Sequence, residues 1–245
     1  MLDERKFVEA ETRQEKEINF FCQLEGIDKE NLNSSLALYQ KIKSLLEGNP
    51  QNEEVINTII EDLNKFCQEN KENQRIDILL PIKEDSENVP LLKLLRKTLI
   101  ENFFQEEEEN KRDDINLVLE ESLANTLLHS LPESNFALLS LKKGENGKIN
   151  EIVTINFSDK EMPNETLELL KNIKENKEEA VNSYLNSDLE KINEKCQQKE
   201  ISDEEFEKLC HRRGLEIVAS LGKEIDFQKI DTDDMGYCYR FSFKI

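Results

Sequence analysis

The feature that most constrains this chain is a pair of apolar runs around a glycine-bearing turn. Residues 136–141 (FALLSL) and 149–157 (INEIVTINF) flank the segment KGENGK, with Gly144 and Gly147. Two β-rich runs joined by a short turn of this kind predict an antiparallel hairpin. A chain committed to a hairpin at its centre must cover at least one face of the resulting sheet.

The flanking segments supply the cover. Residues 75–82 (RIDILLPI) read as a strand ending at Pro81. Residues 89–104 carry Leu91, Leu92, Leu94, Leu95, Leu99 and Ile100 on a wide helical face, with Pro90 in the first turn. The run EEEENKRDD at 106–114 reads as a solvated loop. Residues 115–130 form a strong helix, and 163–210 a long, polar, acidic helical insert marked by Leu167, Leu170, Ile173, Phe206 and Leu209. A short helix at 215–221 precedes strands at 223–230 and 237–245. Strands grouped beside helices in this order predict an α+β sandwich, one mixed or antiparallel sheet with helices on one face.

Ahead of this lies a helical region, residues 1–73. Ile18, Phe21 and Leu24 mark one stripe. Ser34 or Ser35 caps a helix bearing Leu38, Ile42, Leu45 and Leu46, which Gly48 and Pro50 stop. Val55, Ile56, Ile59, Ile60, Leu63 and Phe66 form the next stripe. The polar stretch QENKENQ at 68–74 reads as a linker to a larger domain at 75–245.

A net charge of −20 would repel a nucleic-acid duplex or an anionic membrane, so neither is expected as a partner. Five cysteines, with no C-x-x-C among them, fit reduced thiols better than a disulfide framework or a zinc ribbon. No apolar run reaches signal-peptide or transmembrane length, and a cytoplasmic location is expected. The acidic turn DTDD at 231–234 lacks the glycine and terminal glutamate of a calcium loop.

Chemistry points to helix 115–130. Glu121 and Asn125 are four residues apart, hence on one face, one turn from each other. A carboxamide oxygen together with phosphate oxygens can hold a hydrated magnesium ion, and a nearby carboxylate can orient a hydroxyl or accept its proton.

The stretch 118–129 (VLEESLANTLLH) resembles the N-box helix of the Bergerat-fold (GHKL, histidine-kinase-like) ATPases, in the branch of the anti-sigma-factor serine/threonine kinases. The preceding strand and helix, the following hairpin ending in Asp159, the segment RGLEIV at 213–218 and the segment GYCYRF at 236–241 continue the resemblance over about 170 residues. It implies a Bergerat-type two-layer sandwich over 75–245, with 163–210 as a long lid, and ATP and Mg2+ as cofactors.

Residue by residue, the resemblance implies Glu121 as the activating carboxylate and Asn125 as the magnesium ligand. Asp159 would hold the adenine amino group. Arg213 and Gly214 would lie at the phosphates, and Gly236 near the adenine pocket. Implied partners are a sigma factor or an antagonist-like regulator, and domains of this branch commonly form homodimers.

The sequence departs from the family at its glycine boxes. Where the family has D-x-G-x-G, this chain has Asp159-Lys-Glu-Met-Pro163, and Arg212 replaces the first glycine of the second box. Without glycine, backbone cannot approach phosphate closely, and Glu161 puts a carboxylate on the polyphosphate path. Two function classes therefore stand: an ATP-binding regulator that phosphorylates a protein partner, and a pseudo-ATPase that keeps the fold as a protein-binding scaffold. A histidine-kinase catalytic domain is disfavoured, because residues 1–73 contain no histidine to accept phosphate.

Overall fold

The computed structural model describes residues 12–48, 52–81, 88–128, 130–131, 134–176, 221, 224–232 and 234–245. Three helices, α1 (Arg13–Glu25), α2 (Asn33–Gly48) and α3 (Glu53–Asn70), precede strand β1 (Arg75–Pro81). Helices α4 (Asn88–Phe103) and α5 (Glu109–Leu128) lead to the hairpin β2 (Phe136–Lys143) and β3 (Ile149–Ser158). Helix α6 (Asn164–Glu175) follows, and a second hairpin, β4 (Glu224–Thr232) and β5 (Gly236–Lys244), completes the sheet.

The architecture is α+β, as expected. The five-stranded sheet has the order β1-β2-β3-β5-β4, and every neighbouring pair is antiparallel. Among the described residues it is therefore antiparallel throughout and not mixed. The two helices expected between β1 and β2 are both present, and the chain returns to the sheet running the opposite way.

Both faces of the sheet are covered, a departure from the expected one-sided layering. Ile76, Ile78, Leu80, Ala137, Leu139, Leu141, Ile152, Phe241 and Phe243 point into a core shared with α2, α3, α4, α5 and α6. The alternate residues Leu79, Phe136, Leu138, Val153, Ile155 and Phe157 point into a second core, with Ile18 and Phe21 of α1 and Tyr39 of α2. Alternation along a strand sends neighbours to opposite faces, so α1 lies behind the sheet while α5 lies in front. The helices before residue 73 belong to these same two cores.

Two local details differ from the sequence reading. The acidic run begins a helix: α5 starts at Glu109, six residues before the apolar pattern. Ser35 does not cap α2. It is buried, and its Oγ accepts the N–H of Leu79 at 2.6 Å, which satisfies one outward N–H of edge strand β1. Edge strands left with free N–H groups invite pairing with other chains.

Helix α1 has well-defined ends. Thr12 and Glu15 form a reciprocal capping box, with the Glu15 carboxylate accepting the Thr12 N–H at 2.8 Å. Gly26, at φ +64°, ends the helix in the left-handed region, and its N–H bonds the Cys22 carbonyl.

Candidate functional site

Helix α5 sits on the front of the sheet against β3 and β2. Ile115, Leu119, Ser122 and Thr126 are buried along it, and Val118 and Leu123 widen the buried face. Glu121 and Asn125 flank that face and are both half-buried. The hydroxyl of Thr126 donates to the Ser122 carbonyl at 2.7 Å, and the Ser122 Oγ is buried without a partner among the described residues. Glu120, the neighbour on the outer side, pairs with Arg96 of α4.

After α5 the chain is tied to the end of β3. The N–H of Leu131 donates to the Phe157 carbonyl at 2.6 Å. Asp159 follows two residues later and is exposed. On the other side of β3, Tyr237 pairs with Ser158 across the β3–β5 ladder. Gly236 precedes it at φ +83°, where a β-carbon would lie 2.5 Å from the Ser158 carbonyl oxygen and 3.8 Å from the Asp159 Cα. Asp159 and Gly236 are thus neighbours, and α5 is moored to the same strand end.

The segment that replaces the first glycine box is held by β4 and β5. The Tyr239 hydroxyl accepts the Met162 N–H at 2.6 Å and donates to the Lys160 carbonyl at 3.1 Å. Burial raises the Tyr239 hydroxyl above its usual range, with the Met162 N–H acting the other way. Lys229 pairs with Glu161, and its ammonium lies 4.7 Å from the centre of the Tyr237 ring. The hydrogen bond to Glu161 raises the Lys229 ammonium above its usual range. The carboxylate that the sequence set on the polyphosphate path therefore has its own cation.

Tyr239 and Lys229, which hold this segment, were not singled out from the sequence. They are in cross-strand register with each other, and Tyr239 is in register with Asn156, a pairing that no sequence spacing displays. Asn156 is buried, as are Thr154 and Ser158 on the same face of β3. Three successive polar positions turned toward a helix-covered core mark this end of the sheet, since buried polar groups need hydrogen-bond partners.

Arg213 and Gly214, with the RGLEIV segment, the lid beyond residue 176, the helix at 215–221 except Leu221, and His129 lie outside the described residues. Among the described residues, no cluster of three His, Cys, Asp or Glu side chains could hold a metal ion. A magnesium ion held by Asn125 would take its other ligands from phosphate oxygens and water. No helix among the described residues is long and apolar enough to cross a membrane.

No family model matches the sequence. No curated protein matches it either. Among solved structures, the chain is similar to one from the crystal structure of the SiaB-SiaC complex from Pseudomonas aeruginosa. The identity is 12%, the TM-score 0.49, and the match covers 73% of this chain and 95% of that one.

Proposed function

We propose that this chain is a regulatory protein that acts by binding another protein, and that a Bergerat-like nucleotide site at the α5–β3 end controls it. The observation that supports the reading is the bond from Leu131, just after α5, to the end of β3, where Asp159 and Gly236 meet, with Glu121 and Asn125 half-buried on the flank of α5. A magnesium nucleotide is the ligand that suits a carboxamide and a carboxylate one helical turn apart. Asn125 would supply an oxygen to the metal, Asp159 an acceptor for an adenine amino group, and Arg213 and Gly214 the phosphate contacts. Glu121 would orient a partner's serine or threonine hydroxyl, so that catalysis rests on positioning. A sigma factor or an antagonist-like regulator is the class of partner, and a homodimer is the expected assembly.

One observation favours a second reading, the scaffold without phosphoryl transfer. The Met162 N–H donates to the Tyr239 hydroxyl and the Lys160 N–H to the Ser158 Oγ, so neither is free to cradle phosphate. Thermal unfolding with and without Mg-ATP and Mg-ADP separates the two readings. A ligand at a hundredfold excess over its Kd stabilises by about 2.7 kcal/mol. The nucleotide reading expects that stabilisation in the wild type and its loss in Asn125→Ala. No shift with either nucleotide at millimolar concentration would leave the scaffold.

A further inference from the structure

Three chain segments meet at the Asp159–Gly236 end of the sheet, and α1 grips each of them from behind. The first is the connection from α5 into β2. The carboxylate of Glu17, fully buried on α1, accepts the Asn135 N–H at 3.0 and 3.3 Å and the Arg13 Nε–H at 3.0 Å. The second is the end of β3. The rings of Phe20 and Phe21 lie 5.4 and 5.5 Å from that of Phe157, two residues before Asp159. The third is the β4–β5 turn, where Lys16 pairs with Asp234, two residues before Gly236, and Met235 is buried in the core that α1 completes.

We propose that α1 is a clamp that sets the geometry of the candidate site from the opposite face of the sheet. The inference rests on the placement of these contacts and holds whatever ligand the site takes. Glu17 is the central element. A carboxylate taken fully out of water persists only where hydrogen bonds compensate it, and two of its bonds go to a single backbone N–H of the connection leaving α5. The Lys16–Asp234 pair is exposed and adds direction more than energy. The aromatic contacts supply the apolar part of the grip.

Docking of α1 and order at the site are then linked in both directions. A partner that draws α1 away loosens the Asp159–Gly236 end, and a ligand that stiffens that end holds α1 down. The site is thereby regulated from a surface that the ligand never touches.

Hydrogen exchange on the full chain, read by mass spectrometry, tests this in Glu17→Ala and, separately, in Phe20→Ala. Both should speed exchange about tenfold at 135–136, 158–162 and 235–237, as local opening does. The far turn at 144–148 should be unchanged. Ile59→Val on α3, compared at matched global stability, should not reproduce the pattern. Acceleration confined to α1, or spread evenly over the sheet, would overturn the proposal. Phe20 is only half-buried, so its variant keeps the test intact if Glu17→Ala does not fold.

Discussion

The carbonyl oxygen of Ser158 lies 2.5 Å from the point a β-carbon would occupy on Gly236. The obstacle is backbone in the ladder between β3 and β5, which cannot swing aside. Gly236 also sits at φ +83°, where side chains are strained. Gly236→Ala should therefore cost at least about 2 kcal/mol in urea unfolding. Gly26→Ala is the control: its φ is +64° but no atom lies within 4 Å of the added carbon. Strain alone should limit that loss to about 1–2 kcal/mol, less than at Gly236.

Glu25, at the end of α1, carries a pH prediction. Its side chain is 2% exposed and is approached by Arg75 at 3.2 Å, by Lys142 at 3.0 Å and by Arg240. Burial pushes its carboxyl up, but hydrogen bonds from Arg240 and Lys142 outweigh that and hold it below the ordinary value of 4.5. A carboxyl that titrates lower when folded stabilises fully above its unfolded value and loses that contribution as pH falls through its folded one. Urea midpoints measured from about pH 6 to about pH 3 should fall for the wild type. Glu25→Gln should be less stable at neutral pH by about 1–3 kcal/mol and should fall less steeply over the acid range.

Tyr239→Phe removes one hydroxyl and with it two hydrogen bonds to the 160–162 backbone. The Met162 N–H is then left to water. A loss of about 1–2 kcal/mol is expected by denaturant unfolding. Proteolysis should cut the wild type more slowly than the variant between Asp159 and Pro163.

Thiol labelling distinguishes the described cysteines. Burial pushes both Cys67 and Cys238 up to about 12. At about pH 8 that leaves roughly one part in ten thousand as thiolate, the reactive form. Peptide mapping after brief alkylation should find both unmodified in the folded protein and modified after unfolding in guanidinium. Cys22 is also raised by burial but is only partly covered, so it should label earlier than either.

The sheet was legible because its strands obey short-range rules. The KGENGK turn and the apolar runs on either side of it specify β2 and β3 without reference to the rest of the chain. The back layer was not legible. A glutamate on a helix reads as solvated, and nothing local marks Glu17 as buried; its partner, the Asn135 N–H, is 118 residues away. The start of α5 was hidden for a related reason, since a charge run has no apolar period to betray a helix. Glu121 and Asn125 stood out by their spacing alone, and that Asp159 and Gly236 are neighbours is read from the β3–β5 ladder. Tyr239 looked like one more aromatic strand residue until its hydroxyl was placed.

The order of strands in space has a consequence for how the chain is made. Strand β5 follows β4 in sequence but lies between β3 and β4 in the sheet. A growing chain on the ribosome therefore presents β3 with a bare hydrogen-bonding edge, and that edge stays bare until β5 has emerged. Unfilled edges of this kind are where nascent proteins aggregate. On the opposite flank Ser35 already takes one outward N–H of β1, that of Leu79. A chaperone that acted on this protein would find its work along β3.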